Sequence, residues 1–345
     1  MTSLVENKDL NNDKKDVKKM LEIKETKKEQ YKFRLITKEG YTFKIITELL
    51  KYRVKSCNFI LDKKGIFIKT SDSKKHHLIN MKLYAKNMKY FCEKQTIVGL
   101  NMTHLHKNFK SIKKKDGLLL YIENKFPKTM VINPQKSDFT GSTKNNLKII
   151  DISVQDYDEP TEYNDDDDIP IYSKDFQKMI KDVSAINTKT INIQRRGKIL
   201  RFYTECGDLY GAEVYLSDND NQSYDGKQSK DGRGDDTDLF SSSHEDYEAN
   251  FQLTDITQLS KVAGLSTIVR INANKNFPLR ITMNLGNIGK TTIYTKSKEI
   301  IDQEEADVEE ETANFYVDEN KDSTDNVKSN EVEEEQQIEF TEVEE

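Results

Sequence analysis

From Phe33 onward the sequence breaks into short apolar and β-branched runs separated by Gly, Lys-Lys and Asp-Ser turns. FRLIT, FKIIT, CNFIL, GIFIKT, HLINMKL, GLLLYI and TMVINP have the length and composition of strands bounded by turn formers. Four segments carry instead a period of about 3.6 residues. Residues 42–55 put Phe43, Ile46, Leu50 and Val54 on one face, and residues 102–113 do the same with Met102, Leu105, Phe109 and Ile112. Residues 174–185 offer Phe176, Ile180 and Val183, and residues 253–262 offer Leu253, Ile256, Leu259 and Val262. Each predicts a short amphipathic helix lying between strands.

The spacing of these elements points to a duplication. MTHLHK, Met102 to Lys107, aligns with ITQLSK, Ile256 to Lys261, with an apolar residue, Thr, Leu and Lys in matching places. Gly65 stands in a turn between strands after the first helix, and Gly197 takes the same role after the third. The chain thus reads as two copies of a helix, strand, strand and helix unit. Residues 33–150 hold the first copy and residues 171–301 the second. The acidic, Pro-containing stretch DISVQDYDEPTEYNDDDDIP, residues 151–170, connects them, and the apolar LKIIDI that leads into it can add a strand to the first copy. Three further segments have the composition of disorder: an N-terminal arm, 1–32, with a partly helical stretch around 14–29; a Ser, Asp and Gly-rich insertion, 217–248; and a tail, 302–345.

Charge changes the picture. The 345 residues carry 54 Lys and Arg against 60 Asp and Glu, a net charge of −6. The tail alone holds 19 acidic side chains against Lys321 and Lys328, which leaves the remainder at +11. Residues 217–248 add ten acids against Lys227, Lys230 and Arg233, so the rest of the body stands at +18. A charge segregated in this way attracts a polyanion, and nucleic acid is the leading partner class. No apolar run is long enough to span a membrane and no apolar stretch follows the N-terminal charges, so the chain is expected to be soluble and intracellular. Three widely spaced cysteines, Cys57, Cys92 and Cys206, fit neither a disulfide framework nor a metal site and read as buried free thiols.

The lysines fall in register with the helices. Lys44, Lys51 and Lys55, then Lys107, Lys110 and Lys114, then Lys174, Lys178 and Lys181, each form a basic stripe on one helical face. Flexible ammonium groups suit phosphates rather than base edges, so binding without sequence preference is expected, falling steeply with salt. Apparent enzyme motifs fail on context. GNIGKTT, Gly286 to Thr292, has Asn284 where a phosphate loop needs Gly, and a strand-like TTIYT follows where a helix is required. Asp165 to Asp168 read as a solvated charge run, since four consecutive carboxylates cannot converge on one ion. His76, His77, His104 and His106 lack partners at metal-ligand spacing and read as surface or partly buried. RGD at 233–235 has no secretory context. No catalytic residue, metal or cofactor is expected.

At this point the residues match a known family. Tyr41 to Leu83, YTFKIITELLKYRVKSCNFILDKKGIFIKTSDSKKHHLINMKL, resembles the first helix and following strands of proliferating cell nuclear antigen without a gap, with Gly65 and the Ser71, Asp72, Ser73 segment in register. Residues 90–110 resemble its DNA-facing strand and second helix, 173–186 its third helix, and 251–279 its fourth helix and the next strands. The resemblance covers about residues 33–301 and lies in order and spacing. It implies an α+β DNA clamp fold, two duplicated βαβββ-type domains with the helices lining a ring and the chains joined edge to edge. It implies a homotrimer around double-stranded DNA, opened by an ATP-driven clamp loader and tethering DNA polymerase and other replication and repair proteins as a processivity factor. Lys44, Lys51, Lys107, Lys110, Lys178, Lys181 and Lys261 match DNA-facing positions. Segments 128–133 and 199–204 match the ring-closing edges. Tyr157, Pro160 and Tyr294 match a pocket that takes the short apolar and aromatic motifs of client proteins, while Ser71 and Glu159 replace apolar pocket residues. Work at replication sites is implied, in a nucleus or, for a virus, in cytoplasm. An open monomeric or dimeric processivity factor of the same fold is the alternative.

Overall fold

Alternation of buried and solvent-facing residues sets the strands. Nine precede the connector: β1 (Tyr31–Thr37), β2 (Ser56–Asp62), β3 (Gly65–Ser71), β4 (His77–Tyr84), β5 (Lys89–Cys92), β6 (Thr96–Asn101), β7 (Gly117–Glu123), β8 (Thr129–Gln135) and β9 (Asn145–Lys148). Eight come after them, the first starting inside the last two residues expected of the connector: β10 (Ile169–Tyr172), β11 (Thr190–Arg196), β12 (Ile199–Cys206), β13 (Tyr210–Ser217), β14 (Tyr247–Gln252), β15 (Ile268–Asn272), β16 (Leu279–Leu285) and β17 (Gly289–Thr295). The computed structural model describes residues 30–138, 141, 143–160, 163–186, 188–206, 210–217, 247–275 and 277–309. The N-terminal arm up to residue 29, most of the 217–248 insertion and the tail from residue 310 lie outside the described residues.

The chain divides after Lys296 into two units. The second, as described, is a helix over residues 298–309. Residues 302–309, expected to be disordered for their charge, are therefore helical; Glu and Asp spaced along a helix leave their carboxylates in water at little cost. At the other end Tyr31 and Lys32, assigned to the arm, already belong to β1.

In the first unit the predicted helices are α1 (Gly40–Arg53), α2 (Met102–Phe109), α3 (Ser173–Ser184), and the pair α4 (Leu253–Thr257) and α5 (Ser260–Ala263). FKIIT lies inside α1 rather than in a strand. Phe43, Ile46 and Leu50 recur at helical spacing and are buried together, so the longer period wins over the local β-branched content. The helix expected over 253–262 is interrupted, but Gln258 and Leu259 keep right-handed dihedrals and carry the apolar face across the break. The helix expected over 102–113 stops at Phe109, yet Ile112 still reaches the core.

All named strand pairs are antiparallel. They form a five-stranded sheet, β5-β1-β7-β8-β9, a four-stranded sheet, β13-β12-β11-β14, and an eight-stranded sheet, β10-β15-β16-β17-β4-β3-β2-β6. The last crosses from one copy to the other where β17 pairs with β4, from Gly289 opposite Leu83 to Thr295 opposite His77. Phe33, Phe109, Phe176, Phe202 and Phe251 are among the largest fully buried side chains of the core beneath the helices. Gly65 and Gly197 hold their hairpins at φ of 149° and 56°, values that favour glycine.

One expectation is overturned by the strand order. Segments 128–133 and 199–204 fall in β8 and β12, and each of those strands is paired on both sides, β8 by β7 and β9, β12 by β11 and β13. The sheet edges are one strand further out, at β9 and β13. The strand expected from LKIIDI is present as β9, which starts two residues earlier at Asn145 and ends at Lys148, with Ile150 adding a bridge to Gly99, whereas YGAEVYLS runs straight into the low-complexity insertion and escaped the pattern. Among the thiols, Cys57 and Cys92 are buried as expected and Cys206 is exposed, since it ends β12 beyond the core.

Candidate functional site

The helices pack side by side in the order α2, α1, α5, α3, with α4 against α3. Their buried faces are apolar: Phe43, Ile46 and Leu50 on α1, Met102, Leu105 and Phe109 on α2, Phe176, Ile180 and Val183 on α3. Asn101 caps α2 by accepting from the His104 N–H at 3.0 Å. Gln177 of α3 donates to the Ser260 carbonyl of α5 at 2.7 Å.

The seven lysines on this layer differ in their surroundings. Lys107, Lys110, Lys178 and Lys181 are exposed and make no ion pair among the described residues. Lys110 sits at the C-cap of α2 rather than within it, and Lys55 and Lys114, expected on the same stripes, lie in the turns that follow α1 and α2. Lys44 donates to the Ile112 carbonyl at 3.0 Å and stands 5.8 Å from the Tyr41 ring. Lys51 lies 5.2 Å over the ring of Tyr52. Lys261 pairs with Glu48 of α1 at 2.5 Å, and this hydrogen bond raises its ammonium pKa. Glu48 is a side chain that pattern reading passes over, because a lone carboxylate in a lysine-rich helix looks solvated.

A second cluster joins the two copies beside this layer. Arg53, at the end of α1, meets Asp255 of α4 at 2.6 Å and donates to its carbonyl at 3.0 Å. His77 Nε2 lies 3.3 Å from the same carboxylate, and its Nδ1 is 3.3 Å from the Thr295 hydroxyl. Burial would raise the Asp255 carboxyl, but His77 and Arg53 outweigh it and hold the group below the usual carboxylate range. His77 and His106 are buried rather than on the surface, each facing a threonine hydroxyl. No group of metal-ligating side chains occurs among the described residues.

On another face, Tyr157, Pro160 and Tyr294 come together around a pocket of about 560 Å³, also lined by Ser71, Lys75, His76, Leu78, Asp156, Asp158, Pro278 and Lys296. Ser71 donates to the His77 carbonyl at 2.7 Å, so its hydroxyl is satisfied within the turn. Glu159 does not itself line the pocket; it accepts from Asn80 at 2.6 Å, with Lys69 at 3.4 Å and the Tyr294 hydroxyl at 3.5 Å. Tyr294 is 7% exposed, and burial, with Glu159 beside it, pushes its phenol up to about 12. The acidic run is not merely solvated. Asp165 and Asp168 both pair with Arg280 at 2.7 Å, Asp167 lies 3.4 Å from Arg195, and Asn272 donates to Asp168 at 3.0 Å. Gly286 and Gly289 belong to the β16–β17 hairpin, with Lys290 on an extended strand, so no phosphate loop exists there.

An antiparallel α+β chain whose first and second copies share one continuous sheet beneath a helix layer that bears exposed lysines has the DNA clamp fold. The chain is similar to a solved structure, proliferating cellular nuclear antigen from Entamoeba histolytica, with a TM-score of 0.61 at 22% identity over 78% of this chain and 99% of that one. A model for the N-terminal domain of proliferating cell nuclear antigen matches residues 31–156. The chain is 26% identical over 230 residues to the probable DNA polymerase sliding clamp 1 of Paramecium bursaria Chlorella virus 1, covering 65% of this chain and 81% of that protein. It is 24% identical over 253 residues to proliferating cell nuclear antigen of Chaetomium thermophilum, covering 73% and 92% respectively. Residues 31–156 thus match the proliferating cell nuclear antigen N-terminal domain, and the likeness to sliding clamps extends over 65–78% of the chain.

Proposed function

We propose that the chain is a DNA sliding clamp, a processivity factor that encircles duplex DNA without sequence specificity. The observation that carries this reading is the helix row itself: apolar residues face the sheets, and Lys107, Lys110, Lys178 and Lys181 stand exposed on the other side. Lys44, Lys51 and Lys261 complete a wall suited to phosphates rather than bases. Copies of the chain associate through the unpaired edges of β9 and β13 into a homotrimer. A closed ring holds DNA by topology, and a polymerase docked on it works at high effective concentration. Clients dock an apolar and aromatic plug at Tyr157, Pro160 and Tyr294, and a clamp loader opens the ring at sites of DNA replication.

Two measurements test this together. Mass in solution is expected at about three times the 40.1 kDa of one chain. Chains loaded on nicked circular DNA are expected to stay bound in high salt and to be lost once the circle is cut. A mass of one chain, or equal retention on circular and linear DNA, would sink the ring and leave the open processivity factor.

A further inference from the structure

The acidic run at the end of the connector reaches the client pocket through one side chain. Arg280 projects from β16 with 12% of its side chain exposed, and Nη2 lies 2.7 Å from Oδ1 of both Asp165 and Asp168. The same guanidinium lies 4.7 Å from the centre of the Tyr163 ring. Tyr163 packs in turn on Tyr294 at 5.7 Å and on Phe277 at 5.5 Å, and its hydroxyl donates to the Pro278 carbonyl at 2.5 Å. Pro278 and Tyr294 line the pocket, whereas Arg280 and Tyr163 do not.

We propose that Arg280 is a positioning residue for client binding, fixing the Tyr163 ring that backs the pocket wall by gripping the acidic run on one side and stacking on the ring on the other. The proposal rests on the reading of the pocket as the client site. Between the bridge of Ile150 to Gly99 and the start of β10, the described connector residues pair with no strand, so backbone hydrogen bonds do not fix the ring. Side chains do. A planar guanidinium can pair with two carboxylates and lie on an aromatic face at once, which an ammonium cannot. Asp168 is held further by Asn272 of β15, so the grip is anchored on two neighbouring strands. A wall already in place spares the client the cost of ordering it, and that saving appears as affinity although Arg280 touches no client atom.

The test is a titration of the full chain with a fluorescent synthetic peptide whose plug is an isoleucine and a Phe-Phe pair. Arg280→Gln combined with Asp168→Asn removes the two mostly buried charges together and leaves Asp165, 87% exposed, in water. This pair is expected to bind the peptide about tenfold more weakly, through lost preorganisation, with an unchanged oligomer mass. Tyr163→Phe keeps the ring but loses the bond to Pro278 and is expected to weaken binding by about threefold at an unchanged melting temperature. Arg280→Lys keeps the charge without the stack and falls between wild type and the pair. Replacing the Phe-Phe pair by alanines should abolish the difference between variants. Wild-type affinity in both the charge pair and Tyr163→Phe overturns the positioning role while the pocket stands. A wild-type chain that ignores the plug peptide overturns the pocket reading and this proposal with it. If the charge pair lowers the melting temperature, Tyr163→Phe decides the matter.

Discussion

At the scale of single residues, the lysines of the helix layer are not equivalent. Lys107 and Lys178 are exposed and free of ion pairs among the described residues, whereas Lys261 is held by Glu48 and Lys44 by a carbonyl. Substituting Lys107→Glu with Lys178→Glu is expected to weaken association with a short duplex and to lower the salt slope by about 0.9 per lost phosphate contact, with the oligomer intact. Lys261→Ala should change binding less than Lys107→Ala, because its charge is already partly neutralised. Anisotropy titrations across a salt series measure both, and a larger loss for Lys261→Ala would reverse this ranking. Asp255 carries a different prediction. Its removal leaves Arg53 largely buried beside a single carbonyl, and Asp255→Ala is expected to cost about 3 kcal/mol in chemical denaturation. Because the folded carboxyl is depressed below its ordinary 3.8, its contribution is complete above the unfolded value and is lost as pH falls through the lower folded one. An acid melt of Asp255→Asn should therefore be flatter than that of wild type below about pH 4.

At the scale of elements, the difference between what sequence foretells and what it hides has a physical basis. The helices were legible because each buries one apolar stripe, and a stripe of Phe, Ile and Leu at helical spacing has few other readings. Hairpins with Gly65 and Gly197 were legible because positive φ selects glycine. The edge strand β13 was not, and β9 was only in part, through LKIIDI, since an edge buries little and needs no apolar alternation. Nor were the partners of Glu48, Asp255 and the acidic run, because complementary charges far apart in sequence leave no local periodicity. Six of the seven lysines were legible as basic stripes at helical spacing, Lys261 and the pocket residues came from family register, and the side-chain engagements came only from the fold. Gly99 shows how tightly the connector is seated: a Cβ there would stand 2.2 Å from the Ile150 carbonyl oxygen. Gly99→Val is expected to break the bridge to Ile150 and to destabilise by about 1–3 kcal/mol, read from the denaturation midpoint. An unchanged midpoint would mean that the connector shifts freely.

At the scale of the whole molecule, the two copies within residues 31–296 share one sheet, and Arg53 of the first holds Asp255 of the second. A chain built so is expected to lose residues 31–296 in a single transition, by circular dichroism and by calorimetry alike, rather than as two separate domains. The uneven engagement of the lysines has a consequence for motion along DNA. In the row α2, α1, α5, α3, the unpaired ammoniums stand on the outer helices and the occupied ones in the middle. A ring made of such rows would not be a uniformly charged sleeve but a banded one, more attractive along the outer helices and weaker where Glu48 offsets Lys261. A duplex inside it would lean on one band and be passed to the next, so friction stays low while escape stays closed.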